Sequence, residues 1–164
     1  MSAGTALWLR LVVATAAAAA CLLAVSPPRP SARLPLVASC AVGAAAGLAL
    51  FAVAARRRPR LAAARGRGTL LLGRFAVLGL WAANEEVVWR RLALGELLPA
   101  GVVPALALST IGFALLHGAR RPLHLATGGA FGAVYVATGA LAACIAAHWT
   151  YNAFVGALVD RSRA

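Results

Sequence analysis

Apolar residues fill this chain in long runs, and its polar positions gather between the runs or in tight clusters inside them. Residues 11–28 and 34–55 carry no charge. Each is close to the roughly 20 residues that a helix needs to cross the hydrocarbon core, so both are predicted to span a bilayer. The stretch 56–68, RRRPRLAAARGRG, then brings six Arg together with Pro and Gly and reads as a basic cytoplasmic connection. A third apolar segment runs from Leu70 to about Leu98, interrupted by Arg74, Asn84, Glu85, Glu86, Arg90, Arg91 and Glu96, too polar a set to face lipid. Beyond the turn Pro99-Ala100-Gly101, residues 102–117 form a fourth helix closed by Arg120-Arg121-Pro122. Residues 122–159 contain no Asp, Glu, Lys or Arg and are long enough for two helices that reverse near Thr138-Gly139. The pattern predicts an all-α, polytopic membrane protein of about six transmembrane helices. It divides into an N-terminal hairpin with its basic loop, 1–68, and a helical core, 69–164, that holds the polar clusters.

Composition agrees: of 164 residues 62% are hydrophobic and 12% charged, which excludes an ordinary soluble domain. Sixteen Arg and no Lys stand against Glu85, Glu86, Glu96 and Asp160, a net charge of +12. In a soluble protein that balance points to nucleic acid. Here the Arg residues flank apolar runs and form no basic face interleaved with aromatics, so the expected partner is the lipid bilayer and not nucleic acid. Loop charge places 56–68, Arg120-Arg121 and Arg161/Arg163 in the cytoplasm, with both termini inside and the cell membrane as the expected location; Arg29 and Arg33 weigh the other way. Cys21, Cys40 and Cys144 lie scattered in apolar runs, so a thiolate zinc site is excluded. Cys21 follows a run of alanines, faintly like a lipidation site, but only Arg10 precedes that run as a positive flank and an uncleaved first helix is expected. Gly43/Gly47 and Gly128/Gly132 are pairs four apart, suited to close helix packing.

Charged groups inside apolar helices cost a few kcal/mol each, so those present need partners or a purpose. In Asn84-Glu85-Glu86-Val87-Val88-Trp89-Arg90, Glu86 and Arg90 are four apart on one helical face and can pair. Glu85 points roughly 100° away and is left to face a cavity and act on a substrate or water. In the segment Ser109–His117, Phe113 and His117 share a face; in the last helix His148 and Asn152 lie one turn apart. Counted from the turn near residue 100, Glu85 is 15 residues back and His117 is 17 residues on, so antiparallel helices bring them level. His148 and Asn152 lie 9 and 13 residues beyond the turn near 139, at broadly similar depth, and one buried site could hold all four.

These clusters, taken in order, resemble the motifs of the CPBP intramembrane proteases, which include the type II CAAX prenyl endopeptidases and relatives of lysostaphin-resistance protein A. Glu-Glu-x-x-x-Arg is similar to Glu85, Glu86 and Arg90; Phe-x-x-x-His to Phe113 and His117; His-x-x-x-Asn to His148 and Asn152. The resemblance covers about residues 80–155. It implies an intramembrane endopeptidase that hydrolyses a peptide bond in a membrane-associated protein or peptide, as in CAAX-type or leader-peptide processing. Glu85 and His117 would activate a water, His148 and Asn152 would donate to the oxyanion, and Glu86 and Arg90 would hold the motif helix, with Phe113 in support. Metal dependence stays open: Glu85, His117 and His148 would be the zinc ligands if zinc is used, while a mechanism without metal needs no further residue. Where the family often has Phe-Arg-Gly, this chain has Trp89-Arg90-Arg91, and Arg91 is expected to point away from the cavity. A non-catalytic membrane adaptor or immunity protein on the same scaffold, and a small transporter or channel subunit, are the competing readings. Water and peptide are expected to enter from the cytoplasmic side, past a 118–124 loop with His124 at its rim.

Overall fold

In the computed structural model, residues 3–31, 34–56, 68–117 and 121–158 are described. They form six long helices: α1 (Ala3–Ala24), α2 (Leu36–Ala55), α3 (Gly68–Glu86), α4 (Val102–Leu116), α5 (Arg121–Thr138) and α6 (Leu141–Leu158). No strand occurs among the described residues. The regular structure of the described residues is all helical, as the apolar runs predict. Thr5–Ala24 and Leu36–Ala55 are long and apolar enough to cross a membrane, and Val102–Leu116 is apolar but shorter. The six-span expectation therefore rests on structure for two helices only.

Element boundaries differ from expectation where local chemistry overrides charge counting. The first helix begins well before residue 11, running through Arg10, and stops at Ala24 rather than 28. An arginine near a helix end extends its charge toward water along its aliphatic stem, so it does not end the helix. Pro27 and Pro28 lack the backbone N–H that a helix interior requires, and the chain has already left the helix after Ala24. The third apolar segment is not one α-helix. α3 gives way after Glu86 to a π-helical stretch, Val87–Leu94, then to short turns through Ala100. The basic connection lies almost wholly outside the described residues, as do 118–120. Of the expected 118–124 loop, residues 121–124 are already the first turn of α5.

Close approaches fix the core. A Cβ on Gly43 or Gly47 would collide with the carbonyl oxygens of Ala143 and Ala147, so α2 lies backbone to backbone against α6 as the small-residue pair predicts. A Cβ on Gly128 would stand 2.8 Å from the Phe113 ring, which couples α4 to α5 and seats a motif residue. Gly101 and Gly139 take positive φ, 107° and 67°, at the two reversals that orient α4 and α6. Phe51, Leu94, Phe131, Tyr135, Cys144 and Tyr151 fill the centre. The outer faces of α1 and α2 expose Trp8, Val12, Val13, Leu36, Val37 and Val53, an apolar surface suited to hydrocarbon.

Candidate active site

The C-terminal end of α3, the C-terminal end of α4, the start of α5 and the second half of α6 surround a cavity of about 240 Å³ lined by Glu85, Phe113, His117, His124, His148 and Asn152, among others. All four residues expected to carry chemistry, Glu85, His117, His148 and Asn152, thus share one chamber, with Phe113 in its wall.

Glu86 and Arg90 lie beneath that chamber. Both are fully buried, and Arg90 Nε donates to Glu86 Oε2 at 2.9 Å. The guanidinium also sits over the Phe113 ring, 5.4 Å from its centroid. Glu86 has a second task that local spacing does not reveal: its Oε1 lies 2.8 Å from Nδ1 of His148, 62 positions away in sequence. An ionised carboxylate only accepts, so Nδ1 of His148 carries a proton. His117 is held in the same sense, because its Nδ1 lies 2.6 Å from the Phe113 carbonyl oxygen, another obligate acceptor. In the neutral state of both rings, each Nε2 therefore presents a lone pair. Those two atoms each stand 3.7 Å from Glu85 Oε2. Three acceptors converging on one point are stable only with a proton, a water or a cation among them.

The donor chemistry is that of a His₂Glu zinc set. Ligands held at zinc bond lengths in a tetrahedron stand about 3.3 Å apart, and the 3.7 Å edges from Glu85 to each histidine are more open. Among the described residues, no group of three or more His, Cys, Asp and Glu is arranged to hold a metal ion. As placed, the trio does not close on zinc. Water, which donates two hydrogen bonds, suits the same point.

Arg91 points elsewhere, as expected. It is buried, and its Nη1 donates to the carbonyl oxygens of Pro27 and Pro28 in the α1–α2 connection. A Cβ on Gly95 would come within 3.0 Å of the Pro28 oxygen, so the connection lies directly on the motif helix. Two neighbours of the site, both named from the sequence, do more than the sequence assigns them. His124 is more than a rim residue: its ring lies 4.3 Å, centroid to centroid, from that of His117 and it lines the chamber. Its one sequence signal is its place two turns after His117, which no periodicity argument picks out across a break in the helix. Asn84 donates to Thr15 Oγ1 at 3.0 Å and ties α1 to α3 next to Glu85.

No curated protein and no solved structure matches the chain. Residues 67–154, more than half of it, match the family described as Type II CAAX prenyl endopeptidase Rce1-like. The matched segment holds Glu85, Glu86, Arg90, Phe113, His117, His148 and Asn152, and the chain belongs to that family of CAAX-type membrane proteases.

Proposed function

We propose that this protein is an intramembrane endopeptidase that cleaves a peptide bond in a membrane-associated protein or peptide with water activated by Glu85 and His117. The observation that carries the reading is the convergence of Glu85 Oε2 with Nε2 of His117 and of His148, each at 3.7 Å. A water at that point donates one hydrogen bond to Glu85 and one to His117, which orients its lone pair toward a scissile carbonyl in the chamber. As the C–O bond forms, the water proton passes to Glu85 and the carbonyl electrons move onto oxygen. Asn152 can donate to that oxyanion directly. His148 can donate from Nε2 only as an imidazolium, since its Nδ1 proton is already committed to Glu86. Glu86 is the counter-charge for that state, so it supports the oxyanion through His148 besides anchoring Arg90. Collapse of the tetrahedral intermediate breaks the C–N bond, and the proton held by Glu85 goes to the departing amine.

No step runs through a metal. Chelators are expected to leave the rate unchanged, and loss of activity on chelation with recovery on adding zinc would contradict that. Arg91 is not among the residues lining the chamber, so the feature that could have favoured a non-catalytic adaptor leaves the cavity open. The same reading makes all six helices spanning or membrane-buried, with both termini cytoplasmic. The apolar outer faces of α1 and α2 support it, and α3 and α5 would carry their polar positions against other helices.

Substrate and activity are tested together by comparing the termini of membrane proteins in cells that carry the wild type or Glu85→Gln. New termini present only with the wild type are expected. Identical sets of termini would remove the proteolytic reading.

A further inference from the structure

His117 and His148 are each tied at Nδ1 by one hydrogen bond, to the Phe113 carbonyl and to Glu86. A single bond fixes a point and leaves the ring able to pivot about it, which would swing Nε2 away from Glu85. His148 is buried in α6, and the Phe131 ring is stacked on its own at 4.6 Å, 19° from parallel. His117 has less support from its helix. It is the residue that closes α4, its backbone has left helical geometry (φ −96°, ψ 10°), and its side chain is 25% exposed. Here the second ring is that of His124, 4.3 Å from His117 and 30° from parallel. Phe113 stands 4.2 Å from His117 and 5.9 Å from His124, so the three centroids form a nearly right-angled triangle with His117 at the corner. Phe113 and His124 therefore obstruct different directions of pivoting. His124 and Phe131 are seven positions apart on α5, two turns along one face of the helix.

We infer that α5 braces the site by pressing one ring against each histidine, Phe131 on His148 and His124 on His117, and that His124 is a positioning residue whose ring keeps His117 Nε2 directed at Glu85. The inference deepens the peptidase reading above and rests on it, because that reading gives His117 Nε2 a water to orient. What His124 supplies is a flat ring rather than a nitrogen, since Phe131, which has no ring nitrogen, stands in the same relation to His148. A water bonded to a drifting Nε2 loses its line to the scissile carbonyl, and misplacement by about 1 Å can cost on the order of 10²-fold in rate. His124 is only half-buried, so cutting its side chain back leaves no sealed void in the core.

The chain has three histidines and all of them line the chamber, so histidine labelling reports on the site alone. The test records ¹⁵N spectra of the full-length, ¹⁵N-histidine-labelled protein in liposomes at about pH 8.5, above the ordinary imidazole range. His117 is assigned by the signals lost in His117→Gln. In the wild type His117 is expected to show one protonated and one bare ring nitrogen, well separated. In His124→Ala the two signals should draw together as the ring exchanges between tautomers and orientations, and in His124→Phe they should stand apart again. The same three proteins are then given a membrane-anchored peptide that spans a cleavage site found by the comparison of termini. His124→Ala should lower kcat about tenfold or more with KM little changed, and His124→Phe should recover most of that loss, with unfolding temperatures close to the wild type's in both. His117 signals that stay apart in His124→Ala, a defect confined to KM, or a His124→Phe as slow as His124→Ala overturns the brace. Absence of cleavage by the wild type overturns the peptidase reading and with it the catalytic purpose of the brace, whereas the nitrogen signals still decide whether His124 holds His117.

Discussion

At the residue scale, the site is a chain of fixed protons. Arg90 neutralises Glu86, Glu86 fixes the Nδ1 proton of His148, the Phe113 carbonyl fixes that of His117, and the two free ring nitrogens face Glu85. Removing one member of a buried ion pair leaves the other uncompensated, a loss of about 3–5 kcal/mol, whereas removing both is often close to neutral. Glu86→Gln should therefore lower the thermal unfolding temperature markedly, and Glu86→Gln/Arg90→Met should recover most of it. Activity should recover in neither, because His148 loses its counter-charge in both. Recovery of cleavage by the double variant would show that Glu86 serves only to anchor Arg90. The i, i+4 spacing makes the Glu86–Arg90 pair legible in the sequence, and it also turns Glu85 out of that pair. The bond from Glu86 to His148 joins positions 62 apart, and no local spacing encodes it.

At the element scale, the π-helical stretch Val87–Leu94 and the packing of α1 decide how the motif helix is held. Here the sequence speaks less clearly. Helical periodicity does not distinguish an α-turn from a π-turn over eight residues, and the end of α1 depends on Pro27 and Pro28 rather than on where charges fall. The glycine pair Gly43/Gly47, by contrast, is read correctly from spacing alone, because only backbone contact explains small residues there. Gly47→Leu should force α2 away from α6, where a Cβ already meets the Ala147 carbonyl. Overpacking of this kind costs about 1–3 kcal/mol, occasionally more, and is measurable as reduced thermal stability in detergent. Arg91 lends itself to the opposite experiment. Arg91→Gly should loosen the α1–α2 connection and lower stability while the chemistry at Glu85 proceeds; an equal loss of kcat at full folding would place Arg91 in the reaction itself.

At the scale of the whole molecule, the family match runs from the start of α3 to residue 154 within α6, while α1 and α2 bring the long apolar helices. Loop charge predicts that the start of α5 faces the cytoplasm. A thiol at exposed position 121, Arg121→Cys in a background without Cys21, Cys40 and Cys144, should be labelled on intact cells only by a reagent that crosses the membrane. Labelling by an impermeant external reagent would reverse the orientation and the entry route together.

In the proposed mechanism Glu85 activates a water which ends in the new carboxylate. The most direct measurement is cleavage of a membrane-anchored peptide by the purified protein in liposomes made up in H₂¹⁸O, followed by mass spectrometry, for the wild type and Glu85→Gln. One ¹⁸O is expected in each new C-terminal carboxylate on the first turnover, and a rate for Glu85→Gln lower by a factor on the order of 10²–10⁴. Cleavage by Glu85→Gln at the wild-type rate would contradict it.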